Sequence, residues 1–278
     1  MRARRKSRGS SSRVRFLGRE PSPAHQAWYR IVADHYDHLY DPTRPRKVAP
    51  FVHELFRRHG PVHDVLDVAC GTFALDLPLV KRGYRVVGRD LSGDMLRVAR
   101  SNLRKKGIWA DLGVADMRSL RLGRKFDAIL CLGTAFNYLT TPSDVRRAMG
   151  AFRRHLRPGG LVVLDLTNFD AFIDRPQNAR AEGDYRAPDG TRIAIYAFNE
   201  QDLRKKLHYA RIVMIVERQH QIRIHFAEAP MRIWRRRDIA ETLREGGFRV
   251  VEWWGDLRLR ARYNPKRSPR LVAVAVRT

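Results

Sequence analysis

Acidic residues are scarce in this sequence. Its 278 residues carry 29 Asp and Glu against 55 Lys and Arg, a formal net charge of +26. The deficit favours contact with anions: RNA, DNA, acidic lipid or phosphorylated small molecules. The plainer reading is arginine-rich coding bias and solubility, because net charge speaks to partners more than to fold. Cysteine is nearly absent, with two in the whole chain. Cys70 and Cys131 both fall in apolar, strand-like runs, so a disulfide framework is excluded and a reducing cytoplasm is the simplest setting. Long apolar runs are missing too. None approaches the roughly 18 residues of a membrane span, and the chain reads as soluble. No internal repeat is visible, and no cluster has metal-ligand spacing.

What is present is a core-forming chain, 44% hydrophobic. Its first 21 residues are the exception. "MRARRKSRGSSSRVRFLGRE" has no apolar signal region and reads as a disordered basic arm, with nonspecific nucleic-acid contact as its natural use. From Ser22 the pattern turns helical through "SPAHQAWYRIVADHYDHLY" and again through "RPRKVAPFVHELFRRHG". Strands and helices then alternate up to the strand "LVVLDLTN", which calls for a parallel sheet covered on both faces. Pro78 shortens or kinks the first crossover helix, "ALDLPLVKRG". Beyond Phe169 a loop with one helical turn is expected over "FDAFIDRPQNARAEGDYRAPDG". Three period-2 segments follow: "TRIAIYAFNE", "LHYARIVMIVE" and "HQIRIHFAEAPMRIW". A helix and two strands close the chain. The expected fold is α/β, with a doubly wound, mostly parallel seven-stranded sheet and an inserted antiparallel meander. Its expected parts are the tail (1–21), the core with its N-terminal helices (22–169), the insertion as lid or dimer element (170–234) and the returning core (235–278).

Five segments in order carry the chemistry: "VLDVACGT", "VVGRDLSGDML", "GVADMRSL", "FDAILCLGTAFNYL" and "HLRPGGLVVLDL". In a doubly wound sheet, ligands bind outside the carboxyl ends of the strands. Asp67, Asp90 and Asp116 stand at three successive strand ends. Gly71 permits close backbone approach. A nicotinamide dinucleotide is disfavoured: Gly71 is alone in its loop, with Phe73 and Asp76 in the next slots, and Asp76 would repel a pyrophosphate.

In these segments the chain resembles class I S-adenosylmethionine-dependent methyltransferases, over roughly residues 36–277. The "YDHLY" segment and the loop after "CLG" are similar to those of small-molecule N-methyltransferases, namely the glycine N-methyltransferase and amino-sugar N,N-dimethyltransferase group. The resemblance implies S-adenosyl-L-methionine as cofactor. Asp90 would take the ribose hydroxyls, with Leu91 beside it. Asp116 and the Met117 N–H would take the adenine. Asp67, Ala69, Gly71 and Phe73 would form the first loop, and Cys131 and Leu132 would end the fourth strand. Tyr36, Asn137 and Tyr138 would position the acceptor, with Tyr40, His208 and His225 as further pocket candidates. Phe73 departs from the pattern. The spacing from Asp67 to Asp90 is ordinary, so Phe73 replaces a glycine, and a helical or extended backbone is expected for it. A small-molecule methyl acceptor is expected, nitrogen before oxygen or carbon, in a monomer or homodimer. The alternatives are an RNA or DNA methyltransferase using the basic surface, or a non-catalytic protein of the same fold.

Overall fold

The computed structural model describes residues 24–39, 43–171, 179–187 and 189–278. The basic tail and Tyr40 therefore lie outside the described residues.

The chain enters through α1 (Ala24–Val32), one 3-10 turn (Ala33–His35) and α2 (Tyr36–Leu39), where a single helix was expected. Next comes α3 (Arg44–His59), whose apolar stripe of Val48, Phe51, Val52, Leu55 and Phe56 is buried. The alternating part runs β1 (Asp64–Asp67), α4 (Leu77–Val80), β2 (Arg85–Asp90), α5 (Gly93–Arg104), β3 (Asp111–Val114), β4 (Phe126–Cys131), α6 (Pro142–His155) and β5 (Leu156–Thr167). Pro78 does limit the first crossover helix, which is only four residues long. After the excursion described below, α7 (Arg236–Glu245), β10 (Phe248–Trp254) and β11 (Arg270–Arg277) return to the sheet.

The seven strands lie in the order β10-β11-β5-β4-β1-β2-β3. β1 pairs in parallel with β2 and β4, and β5 with β4; β11 is antiparallel to both its neighbours. Strand order reverses at β1, between β2 and β4. This places the crevice for a ligand above the ends of β1, β2 and β4. Two apolar clusters fill the faces of the sheet, one around Phe136, Phe152 and Trp234, the other around Phe51, Phe56, Phe73 and Leu96. At the opposite end of the strands Asp64 accepts from Arg85 at 2.8 and 3.0 Å, and Arg157 reaches Asp127 and Asp64. Arginine thus clasps the strand starts, leaving the strand ends to the ligand side.

The excursion between β5 and α7 is a four-stranded antiparallel sheet in sequential order: β6 (Ala179–Arg186), β7 (Arg192–Asp202), β8 (Leu207–Arg218) and β9 (Gln221–Arg232). The helical turn falls at Phe169–Ala171. "ARAEGDYR", expected as loop, is instead the strand β6. Its charged and small side chains are mostly exposed, so period-2 hydrophobicity had nothing to show. It is an edge strand held by ladder bonds to β7, a contribution invisible in composition. One face of this sheet packs on Trp28 and Val32 of α1 through Ile193, Ile195 and Met214.

Candidate active site

A cavity of about 930 Å³ opens above the ends of β1, β2 and β4. Its floor is the loop after β1. Cys70 N–H donates to the Arg89 carbonyl, and Phe73 N–H to the Cys70 carbonyl at 2.8 Å, closing a tight turn. Two residues of that turn have left-handed backbone, Gly71 at φ 53° and Phe73 at φ 63°. A Cβ on Gly71 would lie 3.2 Å from the Met95 side chain, so glycine serves both the dihedral and the space. Phe73 corrects the expectation of a helical or extended backbone. It keeps the left-handed geometry, which for a bulky residue is a true outlier. Its ring is 1% exposed, in the cluster with Leu79 and Leu96. Gly88 of β2 makes room: a Cβ there would lie 3.1 Å from the Phe73 ring and 2.8 Å from the Cys70 sulfur.

Asp90 organises the loop from the neighbouring strand end. One of its oxygens accepts from the Gly71 N–H and the other from the Ser92 N–H, both at 2.8 Å. Burial pushes its pKa up, and the backbone donors act against that rise. An ionised carboxylate has about four acceptor sites, so capacity remains for a ligand hydroxyl. Asp116 is clasped by Arg118, whose Nε lies 2.9 and 2.8 Å from its two oxygens. Burial raises this carboxyl, but Arg118 more than offsets it and the net pKa lies below the usual range. Asp67 is 1% exposed and accepts from the Ala69 N–H at 2.8 Å. Burial drives its pKa up to about 7, and Asp90 adds to the rise.

The opposite wall comes from the N-terminal helices. Asp37 of α2 accepts from the Thr72 hydroxyl at 2.5 Å and from the Asn102 amide at 3.0 Å. This one carboxylate ties α2 to the loop and to α5. Tyr29, Tyr36 and Tyr138 line the same side. Desolvation raises the Tyr36 phenol to about 12, and the Tyr138 phenol also rises with burial. Arg44, at the start of α3, lines the cavity and lies 3.5 Å from Asp165 of β5. Asp165 also binds Arg270 and accepts from the Gly133 N–H at 2.9 Å.

Of the residues singled out in the sequence, Asp67, Ala69, Gly71, Phe73, Asp90, Leu91, Asp116, Met117, Leu132, Tyr36 and Tyr138 line this cavity. Cys131 and Asn137 do not: both are 0% exposed. Cys131 is core, with its thiol pushed well up by burial. Asn137 is a structural tie. Its amide donates to the Arg232 carbonyl at 3.0 Å and accepts from the Thr167 N–H at 3.3 Å. His208 stacks near Phe169 and, like His225, is outside the lining. Asp76 also faces away, so it repels nothing in the cavity. Asp37, Thr72, Arg44 and Asp165 went unnoticed in the sequence. Only Asp37, beside Tyr36, carried a signal by position.

The seven-stranded sheet, with carboxylates at three adjacent strand ends around a closed loop, has the Rossmann-like fold of class I methyltransferases. Residues 65–160 match the family described as "Methyltransferase domain". The chain is similar to small-molecule N-methyltransferases. It is 32% identical over 159 residues to a glycine/sarcosine N-methyltransferase of Parasynechococcus marenigrum (strain WH8102), covering 56% of each chain. It is 39% identical over 113 residues to a dTDP-3-amino-3,4,6-trideoxy-alpha-D-glucopyranose N,N-dimethyltransferase of Streptomyces venezuelae, covering 40% of this chain and 46% of that one. The matches thus span about half the length of these curated relatives. Among solved structures, an amino pentose methyltransferase from Micromonospora echinaspora, bound to S-adenosylmethionine, superposes with a TM-score of 0.65 at 27% identity, over 83% of this chain and 90% of that one. A S-adenosylmethionine-dependent methyltransferase from Clostridium acetobutylicum has the same fold, with a TM-score of 0.74 at 21% identity, over 91% and 98% of the two chains.

Proposed function

We propose that this chain is an S-adenosylmethionine-dependent methyltransferase whose acceptor is the nitrogen of a small molecule. The observation that carries the reading is the wall of neutral phenols facing the carboxylate floor. The floor fits the cofactor: Asp90 offers spare acceptor capacity beside the left-handed Gly71, at the strand-order reversal where nucleosides bind. Asp90 would hold the ribose hydroxyls, the segment Asp116–Met117 the adenine, and Asp67 with the loop the amino-acid end. Bound there, the cofactor supplies a methyl group already activated on a sulfonium.

The protein's own residues then position and exclude water. Methyl transfer needs in-line approach more than acid–base assistance. Tyr36, raised to about 12, keeps its proton at neutral pH, and the raised Tyr138 does likewise. Neither phenol serves as a base, as a hydroxyl acceptor would require. Both are suited to accept or donate hydrogen bonds to an amine that arrives as its free base. Asp37 holds α2, and with it Tyr36, against the cofactor loop. The relatives named for glycine, sarcosine and amino sugars support the choice of nitrogen.

The test is calorimetry with S-adenosylmethionine, followed by a screen of small primary and secondary amines for methylated product by mass spectrometry. Cofactor binding and product from at least one amine class are expected. Absence of cofactor binding would overturn the assignment. Methylation of hydroxyls alone would overturn the choice of acceptor atom.

A further inference from the structure

Asp76 is a buried carboxylate beside the site that the reading above leaves unused. It is 0% exposed, and neither of its oxygens meets an N–H or hydroxyl donor. It occupies the N-cap of α4, where an Asp side chain ordinarily accepts from the helix's first N–H groups. Here the side chain makes no such cap. It turns inward and meets the carboxyl of Asp67. Two ionised carboxylates cannot occupy that contact in a dry interior without a cation. The titratable groups that act on the pair are Asp90 at the end of β2, Cys70 in the loop and Cys131 of β4, and none of them is cationic. One proton must therefore reside between the two acids.

We propose that Asp76 and Asp67 share a proton, and that this hydrogen bond straps the end of β1 to the start of α4 beneath the cofactor loop, making Asp76 a positioning residue. Residues 68–75 form the loop between the two strapped residues. Within it Phe73 holds an unfavourable backbone angle. In the shared-proton state Asp67 accepts from two donors, the Ala69 N–H and the Asp76 hydroxyl, so its single charge is satisfied at the place where it lines the cavity. Burial and mutual repulsion raise the affinity of the pair for its proton. The folded state therefore binds that proton more tightly than the unfolded chain does. The strap's stability is fully present at acid pH, and it is lost as pH rises from the ordinary carboxylate range to the raised value of the folded pair.

The experiment compares wild type, Asp76→Asn and Asp76→Ala without cofactor, by thermal melts from about pH 5 to about pH 9. The amide of Asp76→Asn still donates to Asp67 and has no proton to lose. The wild-type stability, less that of Asp76→Asn, is expected to fall with rising pH. Parallel curves would overturn the proposal. Burial lowers the pKa of His208, whose contribution has the opposite trend with pH, and the subtraction removes it. If the variants fail to fold, infrared spectroscopy of the wild type decides. A protonated-carboxyl band persisting at neutral pH and bleaching on alkaline titration is expected, and its absence at neutral pH overturns the shared proton. Binding of S-adenosylhomocysteine is the third readout and rests on the function proposed above. Asp76→Ala should bind roughly 5- to 30-fold more weakly, equivalent to one lost hydrogen bond, with Asp76→Asn restoring most of the loss. Unaltered binding by Asp76→Ala counts against the positioning role. If no form binds while the pH curves behave as expected, the functional reading fails and the strap stands.

Discussion

At the scale of the residue, Phe73 decides most. A left-handed backbone costs an L-residue roughly 1–2 kcal/mol, while emptying a buried aromatic site costs about 3–5 kcal/mol. Both terms act when Phe73 is trimmed, with opposite signs. Phe73→Gly relieves the backbone and should lose about 1–4 kcal/mol net. Phe73→Ala keeps the strain and loses nearly the same ring, so it should be the less stable of the two, reversing the usual order of alanine and glycine. Urea unfolding of the three proteins checks this. That Phe73 stands in a glycine's place was legible from the unchanged spacing between Asp67 and Asp90. Its dihedral was not, because it depends on Gly88 leaving room across the strand. Asp90 was legible as a strand-end acid. Its hydrogen bond from the Gly71 N–H was not, since it joins residues 19 apart between two strand ends. Asp90→Ala should weaken S-adenosylmethionine binding by about 1–3 kcal/mol, because a buried polar contact is left unmade. Calorimetry reads the loss directly, and equal affinity would remove Asp90 from the site.

At the scale of the element, the strands and helices with strong periodicity could be read from sequence, and the exceptions share a cause. α1 and α2 form one periodic segment in sequence, yet a 3-10 turn divides them and lets α2 fold over the loop. The break follows from the Asp37 contacts with Thr72 and Asn102, which are tertiary. β6 is a strand only because β7 offers it a ladder. Segments whose conformation is chosen by a partner leave no periodic trace. The Asp37 clasp gives a prediction at this scale. Asp37→Ala frees α2 from both α5 and the cofactor loop while leaving α1 packed on the second sheet. Amide hydrogen exchange over 33–39 and 71–75 should speed up, with α1, β1, β2 and β4 unchanged. Unaltered exchange in α2 would show that apolar packing alone holds it.

At the scale of the whole molecule, carboxyl groups at the two ends of the central strands β1, β2 and β4 are held in opposite ways. Where the strands begin, Arg85 and Arg157 hold the Asp64 carboxyl below the usual range, and the backbone N–H groups of Asp64 and His63, with Arg157, do the same for Asp127. Where the strands end, Asp67, Asp76 and Asp90 sit buried and raised. A second pH-sensitive group lies in the inserted sheet. Burial lowers His208 from 6.5 to about 4. Its folded form resists protonation, so its contribution is fully present above the unfolded value of about 6.5 and is lost as pH falls towards the folded value. His208→Gln should therefore flatten the acid side of the stability profile, measured as Tm against pH. An identical acid limb in the variant would exclude His208 as its cause.

The side chain of Asn137 meets the chain twice, at Thr167 as it leaves the core sheet and at Arg232 as it comes back. Departure and return are thus sewn together at one stitch, while the sheet between them rests an apolar face on α1. Heredity has an easy cut there. A gene segment coding for another insertion, of any length whose ends meet the same stitch, can be exchanged without disturbing the order of the seven core strands. A lineage built this way can alter the inserted sheet at the rate of recombination, while the floor of the cavity changes only at the slower rate of point substitution.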